Sequence, residues 1–456
     1  MVNEQEFEAL SYPDAPRMTT AVPGAQAQIA MQQSARYESM ARGGGENPLV
    51  FDQGFGVTVK DPDGNLYIDL SAGVGVNSVG RCHPQVVEVI KHQAQRLMHG
   101  SDISNTRRSE LARAVARTMP PGLRDNCSTY FTQSGSDAVE AALKFVKRVT
   151  GRQQIIAFHG AYHGVWNGSA ALTTGNHYRS GYGPFMGGVI HAPYPYAYRF
   201  PFDTSKQSAE RIAGEYVDYL LNTKYTAADD VAAVIVESLQ GEGGYVPPSP
   251  EFFQILRAAC DKAGALLIVD EIQSGAGRTG KMWAIEHAGV KPDGLLFGKG
   301  MGGDLPMAGF AFRADLAGKI PPMSQPNTFA ANALSAAVCL KNIELLQDPK
   351  LDLIGRADRL GKEVMARIRD ADSPLIGEVR GRGLMIGLEM VEDRSSRAPL
   401  SGPRMMKILD AALQKGIILV PCGRNGNVLR LMPSLTISRD YLFKGIAILL
   451  EVIGSI

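Results

Sequence analysis

The sequence predicts an α/β protein with a mostly parallel sheet, and three observations predict it. Several short strand candidates are apolar throughout rather than alternating, 231-VAAVIVES-238 and 265-ALLIVDE-271 most clearly. Strands of that kind are covered on both faces, as in a parallel sheet. Helical patterns with apolar residues at three-to-four spacing separate some of them, which is the α/β alternation. The apolar runs also close on residues of definite chemistry: Asp270-Glu271 end one, and 294-GLLFGKGMGG-303 runs into Lys299. In such a sheet, functional groups gather at the carboxyl ends of the strands.

Residues 1–55 read as a polar, irregular N-terminal arm with GGG at 43–45, attached to a small domain. Residues 56–325 make the large domain. Its strands are 128-STYFTQ-133, 154-QIIAF-158, 187-GGVIHAP-193, 231-VAAVIVES-238, 265-ALLIVDE-271, 294-GLLFGK-299 and 308-AGFAFR-313. Two of its helices are 137-DAVEAALKFVKRV-149 and 251-EFFQILRAACDKAG-264, the second stopped by Gly264. Beyond 325 the texture changes. Long helices (332–347, 351–371, 403–415) enclose strands (377–391, 416–422, 428–432), predicting a smaller α+β C-terminal domain over 326–456.

The 456 residues fit two such domains. Forty-seven basic against 46 acidic residues leave a net charge of +1, so neither nucleic acid nor a membrane surface is an expected partner. Five scattered cysteines without a CxxC fit a reducing compartment. The N-terminus lacks the basic-then-apolar order of a signal peptide, and no apolar run is long enough to span a bilayer. The expected location is the cytoplasm.

The segment after Asp270 contains Gly275, Gly277 and Gly280, which spell G-x-G-x-x-G and, with Lys281, the start of a P-loop. Neither reading fits. A P-loop needs Ser or Thr after its lysine, and Met282 stands there. A dinucleotide fingerprint needs its first glycine at the strand end, and Asp270 to Ser274 intervene. A glycine-rich surface turn is the plain alternative.

Asp270 and Lys299 on separate strand ends explain more. A Schiff-base lysine and an aspartate paired with a pyridinium nitrogen are a protein's share of pyridoxal phosphate (PLP) chemistry. That reading demands a phosphate site, which 131-FTQSGSDAVEAALKF-145 supplies as a strand, a Ser-Gly-Ser turn and the start of a helix. Ser134 or Ser136 acting as a plain helix cap is the alternative. A stacking partner for the ring comes from 158-FHGAYHGVW-166. His159 and His163 in that turn form H-x-x-x-H without the glutamate of a zinc helix, so no metal is expected.

With these segments in order, the chain resembles the class III aminotransferases, PLP enzymes of fold type I. The resemblance runs from about Gly54 to Leu435 and includes 61-DPDGNLYIDL-70, 83-HPQVV-87 and 269-VDEIQSGAGRTGKMWAIEHAGVKPDGLLFGKGMGGDLPMAGF-310. It implies that Lys299 is the Schiff-base lysine and the acid–base of the reaction, and that Asp270 holds the pyridinium. It implies that Gly135 and Ser136 hold the phosphate, that Tyr162 and Ile272 flank the ring, and that Gln273 lies near the phenolic oxygen. Glu237 joins the surrounding hydrogen bonds. Thr328 reaches the cofactor of a neighbouring subunit, which implies a homodimer with shared sites, alone or paired into a tetramer. Arg430 meets a substrate carboxylate and Glu242 neutralises it otherwise; Arg424 is the alternative anchor.

The chain departs from the family pattern in places. SGSDAVE stands for the usual SGSEANE, and FAANALS for FGGNPLA. Members using 4-aminobutyrate or acetylornithine carry an arginine directly after the HG of the Tyr162 turn, where this chain has Val165. An apolar wall at Val165-Trp166 predicts a donor without a second acid at its far end. The implied reaction passes an amino group from an amine or an ω- or α-amino acid to a 2-oxo acid, pyruvate or 2-oxoglutarate, by a ping-pong route. Racemases, aminomutases and lyases of the same fold use the same lysine, so the outcome stays open among them.

Overall fold

The computed structural model describes residues 4–41 and 48–456. Its first strands form a meander of β1 (Gln53–Phe55), β2 (Thr58–Lys60) and β3 (Leu66–Asp69). The chain reverses between β2 and β3 because Asp61 Oδ1 accepts from the N–H groups of Asp63 and Asn65, at 3.0 and 2.9 Å.

The main sheet contains β4 (Cys127–Thr132), β5 (Gln154–Phe158), β6 (Val189–Ala192), β7 (Val231–Glu237), β8 (Leu266–Asp270), β9 (Gly294–Phe297) and β10 (Ala308–Arg313). Their order across the sheet is β4-β10-β9-β8-β7-β5-β6. β10 is antiparallel to both neighbours and the remaining pairings are parallel. Each strand lies where an apolar run predicts it. β7 is buried at every residue, with Val234 and Val236 in one hydrophobic cluster and Ala233 and Ile235 in another. The helix Gly135–Thr150 packs into the second cluster and Pro250–Ala263 into the first, so the sheet is covered on both sides.

The C-terminal part holds β11 (Ile376–Arg382), β12 (Met385–Asp393), β13 (Ala398–Pro399), β14 (Ile417–Ile418), β15 (Val420–Cys422) and β16 (Val428–Leu431), with helices Ala333–Gln347, Leu353–Asp370, Gly402–Gln414 and Arg439–Gly454. Among the described residues, no helix is long and apolar enough to cross a membrane.

Four local expectations need correction. The arm contains two helices, Glu4–Glu8 and Ala25–Tyr37. The second is capped from afar, since the Asp63 carboxylate accepts from the N–H groups of Gln26 and Ala27 at 2.8 and 2.9 Å. No local signal marks such a helix. The glycines at 43–45 lie outside the described residues. The boundary expected after residue 55 falls inside the β1–β2 hairpin, and β3 pairs in parallel with β14, joining this meander to the C-terminal part. The run 416–422 is two strands belonging to different sheets. The run 377–391 is a hairpin broken at Gly383, whose φ of +53° a side chain rarely adopts.

The tip of that hairpin presses on the glycine-rich loop: a Cβ at Gly383 would meet the backbone of Thr279 at 2.6 Å. That loop is not a surface turn. Residues 274–279 are buried, and the Arg278 guanidinium donates to the carbonyls of Leu384 (3.4 Å) and Pro433 and to Ser78 Oγ (3.2 Å). Glu271 holds the loop from within, accepting from Ser274 Oγ at 2.7 Å and from the N–H groups of Ala284 and Ile285 at 2.9 and 2.7 Å. Burial pushes its carboxyl up to about 7 against these donors. We predict that Glu271→Ala, which strands three buried donors, lowers unfolding free energy by at least ~3 kcal/mol. Equilibrium denaturation checks this, and a loss under ~1 kcal/mol would show that the loop holds without it.

Candidate active site

The register of three adjacent parallel strands assembles the site. Glu237, the last residue of β7, lies opposite Asp270, the last of β8, and Asp270 lies opposite Leu296 of β9. Lys299 follows just past the end of β9. All three line a cavity of about 160 Å³ at the carboxyl edge of the sheet. Asp270 faces this cavity and Glu271 turns to the loop described above, which is why two carboxylates close one strand.

Asp270 is held on both oxygens. Oδ1 accepts from the N–H of Ile272 at 3.0 Å, and Oδ2 lies 2.7 Å from His163 Nδ1. His163 is itself buried, with its backbone N–H donated to Thr173 Oγ1 at 2.9 Å. Burial alone would lower the His163 pKa, but the hydrogen bond and charge of Asp270, with Glu237 behind, raise it. The imidazole and the Ile272 N–H together fix the orientation of this carboxylate in a dry setting. Glu237 Oε1 and Oε2 accept from the N–H groups of Tyr162 and Gly241, at 3.1 and 2.7 Å. Burial nevertheless pushes its carboxyl up to about 7.

Lys299 opens a short 3-10 turn at a φ of +42°, a strained conformation for a residue with a side chain. What remains exposed of it faces the cavity. Burial and then the nearby Arg430 cation lower its pKa to about 8, against the pull of Asp270, Glu237 and Glu242. About a tenth of the amine is thus unprotonated at pH 7, far more than for an ordinary lysine, as a nucleophile and base requires.

At the other end of the cavity the helix Gly135–Thr150 begins. Ser134 caps it, with Oγ accepting from the N–H of Asp137 at 3.2 Å. Ser136 Oγ accepts from the N–H of Val165 at 3.4 Å. Gly135 and Ser136 thus sit in the first turn, where unpaired N–H groups and the helix dipole favour an anion. Gly135 leaves room for Ile272, whose Cδ1 a Cβ there would meet at 3.0 Å. Tyr162 stands across the cavity with the edge of Tyr178 against it, centroids 4.9 Å apart.

The substrate-side expectations fare unequally. Arg430 is buried, and its Nη1 lies 2.8 Å from Glu242 Oε2. Arg424 lies in an adjoining chamber of about 560 Å³ that shares Glu242 with the first. It donates to the carbonyl of His159 at 3.3 Å. Thr328 is exposed and outside the cavity of its own chain, its carbonyl 2.8 Å from His99 Nε2. It does not cap the following helix, which Asn332 caps by accepting from the N–H of Ser335 at 2.9 Å. Val165 and Trp166 are 44% and 53% exposed and do not line the cavity, so the apolar wall expected from them is not formed within this chain. His159 and His163 do not converge: His159 stacks on His191. Sequence reasoning missed His163 and Tyr178; a histidine beside the stacking tyrosine, facing a strand-end aspartate, was the available signal for the first.

These residues fit PLP. The buried Gln273 Oε1 has no hydrogen-bond partner among the described residues, leaving polar capacity in the cavity lining. The lining offers the start of a helix, an amine and a carboxylate together.

Residues 39–453 match the model of the family aminotransferase class-III. The chain is 37% identical over 401 residues to a diaminobutyrate–2-oxoglutarate aminotransferase of Rhizobium meliloti, covering 86% of this chain and 85% of that one. It is 36% identical over 423 residues to the 5-aminovalerate aminotransferase DavT of Pseudomonas aeruginosa, covering 91% and 96%. Among solved structures, an ornithine aminotransferase of Toxoplasma gondii with PLP partly occupying its active site superposes with a TM-score of 0.81 at 27% identity, covering 99% and 97%. The chain belongs to the class III aminotransferase family. It is a PLP-dependent aminotransferase of fold type I.

The lowered pKa gives a test independent of turnover. Trace acylation of the apoprotein at graded pH should half-label Lys299 near pH 8, against ~10.4 for a solvent-exposed lysine. Half-labelling above about pH 10 would show an ordinary ammonium.

Proposed function

We propose that the enzyme transfers an amino group from a donor with a non-α amine to a 2-oxo acid, with 2-oxoglutarate the favoured acceptor, in two half-reactions. The observation that carries this is the arrangement around one cavity: Lys299 and Asp270 on adjacent strand ends share it with Glu242, a glutamate already paired to the buried Arg430 behind it. The names of the two relatives, which specify amino acids with an amine away from the carboxylate and, in one case, 2-oxoglutarate, support the substrates.

When bound, PLP supplies an electron sink for the carbanion formed next to nitrogen. The chain supplies the rest. Gly135 and Ser136 would hold the phosphate, Tyr162 and Ile272 would flank the ring, and Gln273 would meet its phenolic oxygen. Asp270, backed by His163, would hold the pyridinium nitrogen. Lys299 Nζ would take the proton from the substrate carbon and pass it to the cofactor carbon that receives the amino nitrogen, a role that its lowered pKa suits. Glu242 neutralises Arg430 when no acid is bound, since an unpaired buried guanidinium is costly. An incoming oxo acid displaces Glu242 and inherits that pairing.

The working unit is a homodimer. Met98, Ile103, Met323 and Phe329 are 55%, 75%, 85% and 59% exposed, which suits a face covered by a second copy. Thr328 stands in that face, poised for the partner's cofactor. Free cysteines suit a location in the cytoplasm.

Two variants test the roles. Asp270→Asn should slow the amine half-reaction by roughly a hundredfold, the scale of one lost preorganised partner. A change under about threefold with PLP fully bound would reduce Asp270 to a structural strand end. Arg430→Ala should raise the KM for 2-oxoglutarate far more than that for the amine. If Arg424→Ala does so instead, the outer chamber holds the carboxylate.

A further inference from the structure

We propose that Glu389 is a positioning residue for acceptor binding: without touching the cavity, it sets the placement of Glu242, Arg430 and the Arg424 loop. The proposal rests on the reading of Arg430 and Glu242 as the carboxylate grip.

Glu389 lies on β12 and is fully buried. Four side chains converge on it: Arg199 Nε at 2.6 Å, Arg380 Nη2 at 2.8 Å, Asn427 Nδ2 at 2.9 Å and the Tyr196 hydroxyl. Arg380 and Asn427 come from the C-terminal part, Tyr196 and Arg199 from the segment after β6. The hub therefore fastens the two parts of the molecule together. Burial would raise the Glu389 pKa, but Arg380 and the other donors hold it below the usual carboxylate range.

From this hub, hydrogen bonds lead to the grip along separate lines. Arg380 Nε and Nη2 both donate to the carbonyl of Gly244, at 3.0 and 2.6 Å, two residues past Glu242. The carbonyl of Glu242 accepts from the N–H of Gly423 at 2.8 Å, fixing one end of the loop that carries Arg424. Asn427 fixes the other end, with its Nδ2 donating to the carbonyl of Met390 at 2.6 Å. Between these ends the Arg424 guanidinium sits over the Tyr196 ring, 5.6 Å from its centroid, and Arg380 sits 4.6 Å from the same centroid. Arg430 lies opposite Gly387 on the adjacent strand, and Val428 opposite Glu389, so Glu389 and Arg430 share a sheet face. Acceptor binding exchanges a Glu242–Arg430 pair for a substrate–Arg430 pair. Any shift of the Glu242 loop against β16 changes the balance of that exchange and leaves Lys299 and Asp270 in place.

The test is steady-state kinetics of the holoenzyme with 2-oxoglutarate and the best amine donor of a panel. Glu389→Gln, which leaves two arginines without their shared carboxylate, should raise the KM for 2-oxoglutarate on the order of tenfold, the scale of coupling through an intervening network. The amine KM, kcat and PLP content should stay within about twofold. Tyr196→Phe keeps the ring between the arginines and removes one bond, so it should shift the same constant by a smaller factor; it carries the test if Glu389→Gln does not fold. On a Glu242→Gln background, where no exchange occurs, the Glu389→Gln effect should fall below about twofold. An undiminished effect on that background, or a parallel loss of PLP and rise in both KM values, would mean that Glu389 only supports the fold. If Arg430→Ala leaves the oxo-acid KM unchanged, the carboxylate reading itself fails. If Arg430→Ala raises it and Glu389→Gln does not, only the present proposal fails.

Discussion

Charged groups buried at the edge of a parallel sheet have little water to solvate them, and each must find its compensation in the protein. This constraint organises the site. Asp270 is met on both oxygens, by a histidine and by a backbone N–H. Among the described residues Glu237 has only backbone donors, and burial pushes its carboxyl up to about 7. Lys299, with no hydrogen-bonded carboxylate among the described residues, loses much of its affinity for a proton. The same desolvation thus yields a near-neutral acid and a reactive amine, according to what each side chain is given. Arg430 follows the rule as well, with Glu242 standing in for a substrate carboxylate.

The register of β7, β8 and β9 decides which groups meet. A slip of one residue in β8 would turn Asp270 away from the cavity and bring Glu271 toward it, exchanging the anion for the loop anchor. Glu271 and Arg278 guard against this from the opposite side, tying the loop after β8 to the hairpin tip at Gly383 and to the segment beyond β16. The glycines that imitate a nucleotide fingerprint are there for close packing.

Much of this was legible in the sequence because its causes are local. A strand buried on both faces announces itself as an unbroken apolar run, as β7 and β8 do, and a polar residue closing such a run is conspicuous, as Asp270 and Lys299 are. The turn at Ser134-Gly135-Ser136 was readable for the same reason, together with the cap that accompanies it. What escaped depends on contacts distant in sequence. The partner of Asp270 is His163, on a turn after another strand. The helix Ala25–Tyr37 takes its cap from Asp63. Val165 follows the right dipeptide for a specificity residue, yet the backbone carries its side chain outward, and no periodicity reports that. The network around Glu389 likewise draws on residues from 196 to 427 and has no local signature.

The central claim is that Lys299, and no other lysine, is the group on which the cofactor is carried. Reduction of the PLP-loaded enzyme with borohydride, followed by proteolysis and peptide mass mapping, tests it directly, because reduction makes the lysine–cofactor link permanent. The account predicts a single pyridoxyl-modified peptide, the one spanning 294-GLLFGKGMGG-303 and modified at Lys299. A pyridoxyl group on any other lysine, or none on a protein that retains PLP, would contradict it.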